Sequence, residues 1–135
     1  MLLNFDAPDR ALCTVRRQKT ATPLQALVTL NDPQFVEAAR ILAERTMKQV
    51  PSVNQRITYF FLAALSRQPR PTELALLRQL YDAEYTGFMK NPKRAESLLQ
   101  TGEFARDQTL KPTEVAAYTV VATTVLNYDE ALVKR

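Results

Sequence analysis

The densest set of groups able to do chemistry lies near the amino terminus: Asp6, Asp9, Arg10, Arg16, Arg17 and Lys19. Two carboxylates three positions apart could in principle share general acid and base work. That work needs an apolar pocket or a close partner that separates their pKa values. Here both acids stand in an irregular stretch containing Pro8 and surrounded by arginines, which keep both ionised. The preferred reading is structural. Carboxylates and guanidiniums fasten an irregular segment to helix ends, with Asp9 and Arg10 as the main tether. A ligand or partner site on these six residues is the second reading, and catalysis the last. The run from Arg10 to Lys19 carries four cations and no acid, so a polyanion could also settle there.

Other chemistries are bounded by what the chain lacks. It has no His and one Cys, Cys13, so the usual general base, an internal disulfide and a thiolate metal cluster are excluded. Cys13 is read as a small buried residue; Arg16 and Arg17 nearby could lower its pKa. No Gly-rich phosphate loop, zinc spacing or RNA-binding aromatic signature occurs, so nucleic acid is not an expected partner. Thr22, Gln25, Asn31 and Asp32 are explained by helix capping, with an anion at the free N–H groups as the alternative. Tyr59, Phe60 and Phe61 are read as core.

The elements that must position these groups are helical. Only two glycines occur in 135 residues, against eight prolines, which argues against hairpins. Most of the prolines stand where helices begin. Hydrophobic residues make up 46 % and charged residues 24 %, ordinary globular values. The net charge is +4 and the pI about 9.4, with the cations spread along the chain. No run of about eighteen apolar residues exists, so no membrane insertion is expected.

Residues 1–21 read as mostly irregular. Thr22-Pro23-Leu24-Gln25 is a capping box that opens a short helix to about Leu30. Asp32-Pro33 starts a second helix, with Phe35, Ala38, Ala39, Leu42, Ala43, Met47 and Val50 on its buried side. Glu37, Arg40, Glu44 and Lys48 fall on its wet side, pairing as Arg40 with Glu44 and Glu44 with Lys48. Ser52 and Gln55 offer a box for a third helix to about Ser66. Its apolar residues run nearly all round, so it is predicted to be the most buried.

Pro71-Thr72-Glu73-Leu74 opens a fourth helix, with Leu74, Leu77, Leu80, Tyr81, Tyr85 and Phe88 on one side. Asn91-Pro92 opens a fifth that stops at Gly102. A loop over 103–111 follows. Lys111-Pro112-Thr113-Glu114 repeats the fourth helix's start and is read as the same capping solution used twice. Residues 119–125 are β-branched except Ala122, which favours a strand. Yet no turn signal interrupts 115–132, and that length decides for one helix. The expectation is a single all-α domain over 1–135: a compact bundle of five to six helices with an irregular N-terminal segment.

Several motifs together resemble a known family. They are Phe5-Asp6-Ala7-Pro8-Asp9-Arg10, Cys13-Thr14-Val15-Arg16-Arg17, Thr22-Pro23-Leu24-Gln25-Ala26-Leu27, and Leu30-Asn31-Asp32-Pro33 running on to Arg40. Leu62-Ala63-Ala64-Leu65-Ser66-Arg67-Gln68-Pro69, Pro71-Thr72-Glu73-Leu74 and Val125-Leu126-Asn127-Tyr128-Asp129-Glu130 also fit. The family is the planctomycete cytochrome-c-associated C-terminal domain of unknown function (domain of unknown function no. 1553), and this chain resembles its C-terminal portion.

The resemblance implies a fragment of a large exported multidomain protein, periplasmic or at the cell surface. Its haem would lie in another domain, with no cofactor and no metal in this stretch. It supplies no catalytic residue. The function it implies is a non-catalytic interaction or scaffold domain whose partners are the parent's other domains. Two alternatives stay open. One is part of a hydrolytic or carbohydrate-processing site shared with an upstream domain. The other is a module binding a polysaccharide or other polyanion.

Overall fold

The computed structural model describes residues 32–132, and every regular element there is an α-helix. In chain order these are α1 (Pro33–Gln49), α2 (Val53–Leu65), α3 (Pro71–Lys90), α4 (Pro92–Leu99), α5 (Pro112–Leu126) and α6 (Asp129–Leu132). The fold is all-α, as the capping signals predict. The expected irregular start and the expected helix over 22–30 lie outside the described residues.

Proline and short polar side chains set the boundaries. Asp32 Oδ1 accepts the Gln34 N–H at 2.9 Å and Pro33 takes the first helical position of α1. Val50 ends that helix in extended conformation, as a residue before proline should. Ser52 stands at the start of α2 without a side-chain bond, so the Ser52–Gln55 box does not form. That helix closes at Ser66, whose N–H still bonds the Leu62 carbonyl at 3.2 Å and whose left-handed φ of 56° turns the following chain out of the helix.

The two matching starts diverge. Glu73 accepts the Arg70 N–H at 2.7 Å, a true N-terminal cap of α3. Glu114, at the same offset in α5, instead takes a 2.9 Å bond from Arg56. Both glutamates also bind an arginine: Glu73 keeps its cap while Arg67 holds both its oxygens, whereas Glu114 is turned to Arg56.

Helix α5 is the axle of the described bundle; all five other helices among the described residues pack on it. Val115, Ala116, Ala117, Tyr118, Thr119, Val121, Ala122 and Val125 are all buried. This corrects the expectation that α2 would be the most buried: α2 leaves Leu62 46 % exposed. An all-round apolar surface is a condition for central burial, but small residues decide who takes the centre. Ala116, Ala117 and Ala122 are fully buried, which lets neighbouring helices approach α5 on several sides at once.

Residues 119–125 are helical, as chain length predicts. Thr119, Thr123 and Thr124 each bond the carbonyl four residues back, at 2.8, 2.8 and 2.9 Å, which satisfies hydroxyls held away from water. The expected single helix to residue 132 breaks at Asn127-Tyr128. There the Tyr128 ring packs edge-on against Phe61 at 5.5 Å.

On α1 the buried face is turned from the predicted one. Val36, Ala39, Arg40, Ala43 and Thr46 are buried, while Ala38 is exposed and Phe35, Leu42 and Met47 are half-buried. On α3 the predicted stripe holds, with Leu77, Tyr81 and Phe88 buried. Tyr81 and Phe60 both meet Tyr118, stacked at 4.4 Å and edge-on at 6.3 Å. Each large side chain buried this way contributes roughly 1.5–3 kcal/mol. Among the described residues no helix is long and apolar enough to cross a membrane.

Candidate functional site

The site residues read from the sequence, Asp6, Asp9, Arg10, Arg16, Arg17 and Lys19, lie outside the described residues, as does Cys13. Three other arginine-centred clusters organise the described part, and the first adjoins a cleft.

Arg40 is the centre of that first cluster. Placed on the wet side of α1 by its sequence pattern, it is 1 % exposed. Its Nη1 donates to Glu44 Oε1 at 3.1 Å and its Nη2 to the Phe104 carbonyl at 2.7 Å. Glu37 lies 3.5 Å from Nη2 and accepts the Phe104 N–H at 2.6 Å. Glu44 also accepts the Asp107 N–H at 3.3 Å. Lys48, expected to pair with Glu44, pairs with Asp107 instead. One turn-rich segment, 102–107, is thus moored to three successive turns of α1. The predicted Arg40–Glu44 pair is real, but it is half-buried and bridges elements.

Gly102 lets this happen. Its φ of +101° belongs to glycine. A β-carbon there would come within 2.5 Å of Glu37 Cδ. Beside it opens a cleft of about 450 Å³ lined by Asp32, Pro33, Gln34, Glu37, Gly102 and Glu103. Three of those six residues are acidic and none is a cation.

Arg56 forms the second cluster at the end of α1. Its Nε donates to the Val50 carbonyl at 2.6 Å, and its Nη1 to Glu114 at 2.9 Å and the Tyr118 hydroxyl at 3.1 Å. A cation over the last carbonyls of a helix is favoured by the helix dipole, and the guanidinium also lies 5.0 Å from the Tyr118 ring centre.

Arg67 forms the third cluster. It grips both oxygens of Glu73 at 2.9 Å and reaches Glu130 at 2.7 Å. It thereby joins the α2–α3 turn to α6.

The electrostatics follow from these pairs. Hydrogen bonds from Arg67 hold the Glu73 carboxyl down at about 2, against the opposing effect of burial. Lys48 and the Thr109 hydroxyl and N–H hold Asp107 below the usual carboxylate range. Burial, then the neighbouring Tyr118, pushes the Tyr81 phenol up. Glu73 and Asp107 therefore stay charged and Tyr81 stays neutral near pH 7. Each serves as a fixed hydrogen-bonding or packing group, poorly matched to proton transfer there. Among the described residues no group of three His, Cys, Asp or Glu side chains is placed to hold a metal ion.

Sequence reasoning foresaw the Arg40–Glu44 pair but missed the rest of the Arg40 cluster and the whole of the Arg56 and Arg67 clusters. The signal for the first was present: Arg40 has acids three residues before and four after it, which can fold a guanidinium down against its own helix. Nothing local announced the Phe104 carbonyl.

Comparison with known proteins found no match among curated proteins and none among solved structures. The model of the family PSD1, protein of unknown function (DUF1553), matches residues 1–81. That span contains the N-terminal charge cluster, Arg40, Arg56, Arg67 and Glu73, whereas Phe104 and the 125–130 motif fall beyond it. The match covers more than half of the chain, and the chain belongs to the PSD1 (DUF1553) family of proteins of unknown function.

Proposed function

We propose that this chain is a non-catalytic interaction and scaffold domain of a larger, exported protein whose haem lies in another domain. The observation that carries the reading is the use made of the buried and half-buried arginines. Arg40, Arg56 and Arg67 each join separate elements: α1 to the 102–107 segment, α2 to the end of α1 and to α5, and the α2–α3 turn to α6. Their carboxylate partners are committed to holding the frame. A rigid helical frame suits a domain whose task is to present surface to neighbouring domains.

Residue-resolved hydrogen exchange on the 135-residue chain and on its full-length parent tests the reading. A patch of this domain should exchange more slowly within the parent than alone. Identical exchange at every amide would overturn it. The expected haem location is checked separately, by the absorbance spectrum of the parent with and without this domain; loss of the haem band on deleting the domain would count against it.

A further inference from the structure

We propose that residues 22–30 of this same chain dock, as a further helix, on an apolar surface shared by α1 and α2. The inference is independent of the scaffold reading above.

Two sequence expectations are overturned on adjoining surfaces, and one missing neighbour accounts for both. On α1, Phe35, Ala38 and Leu42 recur at i, i+3 and i+7, the spacing of a covered helix face. Yet Ala38 is exposed and Phe35 and Leu42 are only half-buried. Leu42 borders the core, whereas Phe35 stands outside it. On α2, apolar nearly all round, Leu62 is 46 % exposed and Tyr59 half-buried. Helix α1 packs mainly on α5, and α2 divides its packing between α3 and α5, so α1 and α2 meet little. At their junction lies a cleft of about 400 Å³, with Gln49, Val50, Tyr59 and Leu62 among its lining residues. Gln49 continues the Phe35–Ala38–Leu42 stripe seven residues on, so the open face of α1 leads into the cleft. Exposed Leu76 and Met89 on α3 are instead single apolar residues of the kind surfaces commonly carry.

Three observations name the occupant. The family match over residues 1–81 takes in residues 22–30 together with all of α1 and α2. Within 22–30, Leu24, Leu27 and Val28 at i, i+3 and i+4 give the expected short helix an apolar face of its own. Charge agrees as well: no residue lining the cleft is charged, and none from 20 to 31 is. A basic or acidic partner would bring charges against a neutral wall and lose hydration without a counter-charge. Reach is sufficient. Residue 31 adjoins the Asp32 cap, whose backbone is extended, and nine helical residues span about 13 Å, the length of α1 from Pro33 to Leu42. A tether of one or two residues also gives the segment an effective concentration on the order of millimolar or above, which a second copy at micromolar concentration does not match.

Nuclear Overhauser contacts in the 135-residue chain test this directly. Expected are contacts from the Leu24, Leu27 or Val28 methyl groups to those of Ala38, Leu42 or Leu62. Ala38→Glu, at an exposed position that leaves the bundle intact, should abolish them and speed amide exchange at Leu27 several-fold, with Val121 on α5 unchanged. Absence of these contacts in the unaltered chain would overturn the proposal, as would contacts from 22–30 to another face of the bundle. Equal exchange at Leu27 in the variant and the unaltered chain would overturn it too. Contacts found only between differently labelled copies in a mixed sample would assign the surface to a second copy and overturn the occupant proposed.

Discussion

Arg40 and Phe104, 64 residues apart in the chain, meet at 2.7 Å through a guanidinium–carbonyl hydrogen bond. One end of that contact is buried in the bundle and the other is the backbone of an exposed turn. The contact links the packing of α1 on α5 to the shape of a surface turn.

Arg40→Ala should destabilise the chain by about 3–5 kcal/mol, because it leaves Glu37 and Glu44 half-buried without their cation. Urea unfolding measures this, and trypsin should cut more readily at Arg106 once the mooring is gone. Arg40→Lys keeps the charge without the fork and should fall between the two. A change below about 1 kcal/mol for Arg40→Ala, the level of an exposed ion pair, would show that the cluster is incidental.

Gly102→Ala should cost at least about 1–3 kcal/mol, the range for non-glycine residues forced into rare backbone conformations. The methyl group would also press on Glu37 and disturb its bond to the Phe104 N–H. Amide exchange at Phe104 should quicken along with the loss of stability. Unchanged exchange there would separate backbone strain from the mooring.

Ala122→Leu should lower stability by about 1–3 kcal/mol through overpacking, since Ala122 is fully buried on the central helix. Ala63→Leu, on the exposed part of α2, should change little. If the two respond alike in thermal melts, α5 is not the axle of this bundle.

The Glu73 carboxyl sits at about 2 in the folded chain against an ordinary 4.5. It therefore binds a proton less readily folded than unfolded. Its stabilising contribution is complete above about pH 4.5 and is lost as the pH falls toward 2. Asp107, held low by Lys48, adds a loss of the same sign. Denaturation midpoints followed into acid should fall less steeply for Glu73→Gln than for the parent sequence. An unchanged acid slope would mean that the Arg67 pair contributes nothing to folding.

Much of the local structure was legible in the sequence because its causes are local. Proline at the first helical position, Asp32 before Pro33, Glu73 after Arg70 and the α3 stripe from Leu74 to Phe88 all act within a few residues. Helical structure through the β-branched 119–125 run followed from segment length, and the threonine back-bonds that support it are also local.

Tertiary structure alone decided which apolar helix became central, which face of α1 turned inward, and which of two near-identical starts kept its cap. These are competitions between distant partners for the same surface or the same carboxylate. Alanines on α5 won the centre by admitting neighbours closely. Glu114 is turned toward Arg56 on α2, whereas Glu73 binds Arg67 in a geometry that leaves its cap in place. Arg40, an ordinary solvated residue by its position in the helical pattern, was buried because a carbonyl from a distant turn joined Glu37 and Glu44 in binding its two Nη groups, which offsets much of the cost of burying a charge. A helix's own sequence carries its periodicity, but it does not encode the partner that arrives from elsewhere in the chain.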